Sequence, residues 1–360
     1  MISPDHNPRD VPRDDRPRDV PRDDGTRDLL RDTATRLFQD VCQPAMLRDA
    51  ESGVWPRAAW QAIEEAGLPR ALVPEAAGGH GVAFADAMVI VRAAGRFALP
   101  LPLPETMLAG WLLARAGLPV PEGPMTVALG GDIDASGRLS GQAVRVPWAN
   151  AETTIVVVEG SGRVAVAPRE ICSVESGRNV AGEPRDTLRF AGLVTAGVSG
   201  LDATELRGLG AAMRAHQIAG ALQRVTEMTV QYALDRTQFG RPIGKFQAVQ
   251  QNLAILAGQT AAAIAAADMA GEAVSGDRIR LAPIAAGKAR AGEAAGIGAA
   301  IAHQVHGAIG FTQEHGLHHL TKRLWSWRDE FGNETVWNRW LGRHMAAAGA
   351  DQYWAWLTAA

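Results

Sequence analysis

From Thr26 onward apolar residues recur at helical spacing, with Leu30, Ala34, Leu37, Phe38 and Val41 on one face and Arg and Asp between them. Trp60, Ile63 and Ala66 continue the pattern until Gly67 and Pro69 stop it. Two further helices are predicted at about 84–97 and 105–117, split by the proline-rich run Leu99–Pro104. Between 123 and 200 the period changes. Thr126–Leu129, Thr154–Val158 and Val164–Ala167 are short runs rich in β-formers, bounded by Gly, Asp and Ser. Beyond Leu201 the pattern is long Ala-rich helix, at about 203–236, 246–272, 278–307 and 335–350. Repeated Gly and Ala let such helices approach closely, which suits an antiparallel bundle. The predicted fold is therefore mainly α with a small β domain: an N-terminal helical domain (26–122), a short β domain (123–200) and a C-terminal four-helix bundle (201–360).

The first 25 residues do not fit this scheme. Residues 8–25 are two near-copies of one nonapeptide, PRDVPRDDR and PRDVPRDDG. Proline at this density forbids a helix, and alternating Arg and Asp bury nothing, so a disordered tail is predicted at 1–25. The net charge of −3 gives no field favouring nucleic acid. Cys42 and Cys172 are too few for a disulfide scaffold or a zinc site. The N-terminus shows no hydrophobic signal region and no unbroken apolar run approaches 18 residues, so a cytoplasmic protein without membrane insertion is expected. His303, His306, His315, His318 and His319 cluster in sequence, but a metal needs three or four converging ligands and none is predicted. Six of the ten Trp fall in the last 36 residues, which suggests a packed C-terminal segment or a subunit interface.

The densest constellation is Tyr232-Ala-Leu-Asp-Arg236-Thr-Gln238-Phe239-Gly-Arg-Pro-Ile-Gly-Lys-Phe-Gln247. One helix ends at Arg236, a Gly/Pro turn follows, and the next helix starts near Lys245. Arg236 could present its guanidinium fork to a diphosphate with Phe239 stacking nearby, and a plain inter-helix turn explains the composition equally well. The stretch also matches, without a gap, the pattern YaxxRxQFGxPIxxFQ. A second stretch, Gln304 to Glu314, matches QxhGgxGft.E, and Trp60 to Gly81 matches W..L.e.Gl..l.vPEe.GG.G. In these motifs and in their order the chain resembles the acyl-CoA dehydrogenase family. It is most similar to the branch whose second motif continues as Glu314 to Arg323 does here.

The resemblance implies FAD at a subunit interface, an acyl-CoA substrate, and a homo- or hetero-oligomer with another acyl-CoA dehydrogenase-like chain. Carried over by position, Arg236, Gln238, Phe239 and Gln247 would touch the FAD diphosphate and adenosine from one subunit. Gln304, Val305, His306, Gly307 and Ala308 would receive the adenosine half from the other, and Asn333 with Glu334 would face the flavin. Two departures stand out. The family's TEPxxGSD string, which binds the flavin ring and the acyl thioester, has no counterpart in the short β domain. The family's base, a Glu that removes the acyl α-proton, falls on Phe331, and the alternative base position of some relatives falls on Gly210. Glu330, Asp329 and Glu334 remain as displaced candidates, Glu330 foremost. The readings in competition are a non-catalytic subunit of a desaturating complex, a homomeric dehydrogenase using Glu330, and a flavin-dependent oxygenase on the same fold.

Overall fold

A computed structural model describes residues 24–149, 152–276 and 278–358; the repeat tail lies, up to Asp23, outside the described residues. Five helices open the described chain: α1 (Asp24–Val41), α2 (Pro44–Glu51), α3 (Arg57–Glu65), α4 (Phe84–Arg96) and α5 (Leu103–Arg115). Their apolar stripes converge on one core, in which Phe38, Ile63, Met88, Leu103 and Met107 are fully buried.

The β-branched runs become strands of two facing four-stranded sheets. In chain order these are β1 (Met125–Leu129), β2 (Asp132–Ile133), β3 (Arg138–Pro147), β4 (Thr154–Val158), β5 (Arg163–Ala167), β6 (Cys172–Glu175), β7 (Arg185–Leu193) and β8 (Ala196–Val198). The sheet orders are β1-β4-β5-β8 and β2-β3-β7-β6. Pairing is antiparallel except between β1 and β4. Leu139, Leu188 and Phe190 of one sheet meet Val157 and Ala165 of the other in a small separate core. Between β6 and β7 a loop, residues 176–184, leaves the sheet and runs toward the C-terminal helices.

Six helices follow: α6 (Ala203–Asp235), α7 (Gln247–Glu272), α8 (Leu281–His306), α9 (Leu317–Asp329), α10 (Glu334–Ala348) and α11 (Ala350–Thr358). Asp202 starts α6 with a capping box: its side chain accepts from the Thr204 and Glu205 backbones, and Glu205 accepts from the Asp202 backbone in return. Gly95 and Gly220 set the crossing of α4 with α6. A Cβ on Gly220 would lie 1.9 Å from the Arg92 carbonyl, and one on Gly95 would lie 2.1 Å from the Gln217 carbonyl.

The predicted four-helix bundle is joined by α9, whose buried Leu317, Leu320, Leu324 and Trp327 are interleaved with His, Lys and Arg that mask the periodicity. Helix α7 is, by length and composition, apolar enough to cross a membrane, and only 28% of its apolar stretch is buried. Its apolar character is interrupted in sequence by Gln259 and Thr260. It packs on α6 and α8 and leaves Ala254, Ile255, Gly258, Ala261, Ala265 and Met269 open on its outer face.

Candidate flavin and acyl-CoA site

The turn after α6 is a tight hairpin. Thr237-Gln238 pairs with Arg241-Pro242, and Phe239 and Gly240 occupy the turn at positive φ, the geometry that matches strand twist. This throws the Phe239 ring outward, 90% exposed, while Phe246 meets it edge-on and stacks beneath the Arg241 guanidinium at 4.3 Å. Arg236, Gln238 and Gln247 are exposed beside it.

Gln304 to His306 end α8, and Gly307 and Ala308 open the tight turn that follows. Gln304, Gly307 and Ala308 face outward, whereas Val305 and His306 are buried. The His306 ring stacks on Tyr232 at 4.5 Å, one helical turn before Arg236. The two motifs therefore lie next to each other on one chain. Both outward-facing stretches thus share one face of the chain, joined by the Tyr232–His306 stack.

The two base positions also meet. An ideal Cβ on Gly210 of α6 would lie 2.3 Å from Phe331 Cδ1 and within 2.6 Å of two further ring atoms, so the phenyl ring fills the space a side chain at 210 would take. Phe331 sits at φ 55° in the loop between α9 and α10, packs against the main core, and has the Arg214 guanidinium 5.5 Å from its ring centroid. No carboxylate stands at either position. The Asn333 side-chain oxygen caps α10, accepting from the Val336 backbone at 3.2 Å.

Glu330 lies beside them but is spoken for. Arg185 of β7 grips it bidentately, Nε to Oε1 at 2.7 Å and Nη2 to Oε2 at 3.1 Å, and Arg214 Nε donates to Oε2 at 2.7 Å. Asn179 Nδ2 adds a bond at 3.2 Å. Burial alone would raise the carboxyl pKa, but the two guanidinium groups and Asn179 outweigh it and hold the acid at about 2. A carboxylate this acidic and fully engaged is a poor general base near neutral pH, so the geometry disfavours Glu330 in that role.

The contacts continue in both directions. Arg214 pairs with Glu105 of α5 and donates to Gln217. Arg185 pairs with Glu183 at 3.0 Å, and Arg323 Nε of α9 lies 3.0 Å from the other Glu183 oxygen. All six charged side chains, Glu105, Glu183, Arg185, Arg214, Arg323 and Glu330, are at most 8% exposed.

Beneath the same loop Lys288 of α8 is buried, its Nζ donating to the carbonyls of Arg328 at 2.6 Å and Gly332 at 2.9 Å. Burial pulls its pKa down to about 7, against the opposing pull of Glu334 and Glu330. Either protonation state retains at least two N–H groups for those two acceptors. Arg214 and Lys288 do carry a sequence signal, as charges set among the small residues of Ala-rich helical stretches. Arg185 carries none, because only the tertiary fold brings it to Glu330.

Of the five histidines, His318 and His319 approach Glu51, with ligand atoms within 4.8 Å of one another. Glu51 is already bound by His319 Nδ1 at 2.6 Å and Lys322 Nζ at 2.8 Å, and Arg323 lies 3.9 Å away. Two fixed cations there oppose a third. His303 stacks between Phe311 and Trp325, and its Nε2 meets the Thr321 hydroxyl.

The flavin implied by the resemblance divides into two halves with opposite outcomes. The exposed Arg236 fork, the outward Phe239 ring, Gln238, Gln247, Gln304 and the open space over Gly307 suit a nucleotide diphosphate. The ring half does not fit. The loop before β7 lies directly on α9, with the Ala181 backbone donating to Ser326 Oγ at 3.3 Å beside the Arg185–Glu330 pair.

Comparison with known proteins agrees with this architecture. The family described as "Acyl-CoA dehydrogenase, N-terminal domain" matches residues 25–119, and "Acyl-CoA dehydrogenase, C-terminal domain" matches residues 203–345. The chain is 33% identical over 266 residues to acyl-CoA dehydrogenase IpdE2 of Mycobacterium tuberculosis, covering 73% of this chain and 79% of that one. Among solved structures it superposes on the ChsE4-ChsE5 complex of Mycobacterium tuberculosis with TM-score 0.76 at 24% identity, covering 90% of this chain and 98% of that one. A variant of the Tcur3481-Tcur3483 steroid acyl-CoA dehydrogenase gives TM-score 0.80 at 21% identity, covering 90% and 99%. This chain belongs to the acyl-CoA dehydrogenase family of FAD-binding flavoproteins.

Proposed function

We propose that this chain is the non-catalytic subunit of a FAD-dependent acyl-CoA dehydrogenase complex, paired with a second acyl-CoA dehydrogenase-like chain that supplies the base. The observation that carries the reading is the contact between Phe331 and Gly210: both positions from which the family draws its base are present, adjacent and devoid of a proton acceptor. A homomeric enzyme working through Glu330 would need that carboxylate released from two arginines and Asn179.

FAD, when bound in such a complex, accepts hydride from the acyl β-carbon. What this chain's residues do is hold and orient. Arg236 neutralises a diphosphate, Phe239 and Gln238 cover it, and Gln304 to Ala308 supply a flat edge with room over Gly307. The open faces of α7 and of this hairpin form the contact with the partner, and the likeness to the ChsE4-ChsE5 complex supports an unequal pair.

The test is to purify the full chain alone and with a co-expressed acyl-CoA dehydrogenase-like partner, then add acyl-CoA anaerobically and follow the flavin band. Bleaching only with the partner supports the reading. Bleaching by this chain alone, abolished in Glu330→Gln, overturns it.

A further inference from the structure

We infer that a buried lattice of ion pairs stands in the cleft where the family places its flavin ring, joins the domains there in the ring's stead, and keeps this chain's own cleft free of flavin. The inference rests on the reading above only for the identity of the cleft, which the base positions Gly210 and Phe331 mark.

The lattice runs Glu105–Arg214–Glu330–Arg185–Glu183–Arg323. It draws one member from α5, two from the loop and strand of the β domain, and three from the bundle. Three carboxylates face three guanidinium groups, so the buried charge is balanced. Asn179 and Gln217 take up further hydrogen-bonding capacity. A planar ring held between two surfaces needs about 7 Å between them, two van der Waals contacts of about 3.5 Å. Here the two sides are already in hydrogen-bond contact, at 2.7 Å from Arg185 to Glu330 and 3.3 Å from Ala181 to Ser326. Admitting a ring would separate Arg185 from Glu330, break the two charge-assisted hydrogen bonds between them and leave Glu330 to Arg214 and Arg185 to Glu183 alone in a buried site, a costly loss for charges held away from water. Loss of the TEPxxGSD string from the β domain fits the same picture, because a filled cleft has no ring for that string to bind.

The experiment uses the full-length chain, with FAD itself as the probe. Thermal unfolding and amide hydrogen exchange are measured with and without FAD, following residues 177–185 and 326–332. Unchanged protection of both segments and a Tm that FAD leaves in place support the inference. A rise in Tm of about 5 °C or more at saturating FAD, with altered exchange in those segments, overturns it, since a ligand held in the cleft stabilises by mass action. Glu330→Gln, which keeps the shape and removes the charge, should lower Tm by roughly 4–7 °C. An unchanged Tm overturns the joining role. Should that variant not fold, the wild-type exchange measurement decides alone. Flavin held in the cleft of an inactive chain sinks this inference and leaves the proposed function standing, whereas acyl-CoA bleaching by the chain alone sinks the function.

Discussion

Gly210→Ala isolates the meeting of the two base positions. On helix propensity alone the substitution in the middle of α6 should stabilise by about 1 kcal/mol. The added methyl, however, would lie 2.3–2.6 Å from three atoms of the Phe331 ring, about 1 Å inside ordinary carbon contact. The ring has little freedom to retreat. The Phe331 carbonyl accepts from Trp337 Nε1 at 3.1 Å, the Gly332 carbonyl from Lys288, and Glu330 is locked on the other side. Overpacking of this kind costs about 1–3 kcal/mol, so Gly210→Ala should be neutral to destabilising by about 2 kcal/mol. Phe331→Ala removes the obstacle, and adding Gly210→Ala to it should recover the full propensity gain. The assay is a double-mutant cycle by denaturant unfolding, with an expected coupling of about 1–3 kcal/mol between the two sites. Coupling near zero, with Gly210→Ala stabilising in both backgrounds, would show that the positions do not touch.

Three further outcomes follow from the same contacts. Arg236→Ala should weaken FAD retention by the assembled complex about ten- to a hundred-fold, the loss of a charge-assisted bond of about 1.5–3 kcal/mol; stoichiometric flavin in the purified variant removes Arg236 from the site. Glu330 has a folded pKa of about 2 against an ordinary 4.5, so its contribution is complete above pH 4.5 and is lost as pH falls toward 2. Acid unfolding of Glu330→Gln compared with wild type should show a gap of about 3 kcal/mol at pH 6 that closes by pH 2. Lys288 has the same sign in a higher window: its folded pKa of about 7 lies below the ordinary 10.5, so the folded state releases a proton the unfolded chain keeps and stability rises with pH between the two. Wild type should therefore gain on Lys288→Met by about 1 kcal/mol per pH unit above pH 7, and a pH-independent difference refutes the buried-amine assignment.

Much of the fold was legible because its signals are local. Leu30 to Val41, the runs at 154–158 and 164–167, and the Ala-rich helices announce their elements by period alone. Helix α9 was not, since its apolar positions alternate with His, Lys and Arg that bury themselves by pairing. The two ungapped motifs were readable in sequence, but their closeness was not, because only the tertiary fold lays His306 on Tyr232. Phe331 and Gly210 were each visible in sequence as missing bases, 121 positions apart, but their contact was not. Nor could the sequence disclose why Glu330 is unavailable. Arg185 belongs to a strand 145 positions upstream, and nothing around it is unusual.

The same separation bears on how the molecule comes apart. The Arg214–Glu105 and Arg185–Glu330 pairs span 109 and 145 residues and each forms only when two domains have docked, while Arg214–Glu330, 116 residues apart, forms only when the bundle has closed. Early in folding these charges remain in water, and the lattice contributes little to the transition state. Interactions of that kind leave the folding rate nearly untouched and act on the reverse step, lowering the rate at which the native chain opens. The ion pairs between the domains thus set a lifetime: the folded chain is protected by slow unfolding rather than by fast refolding.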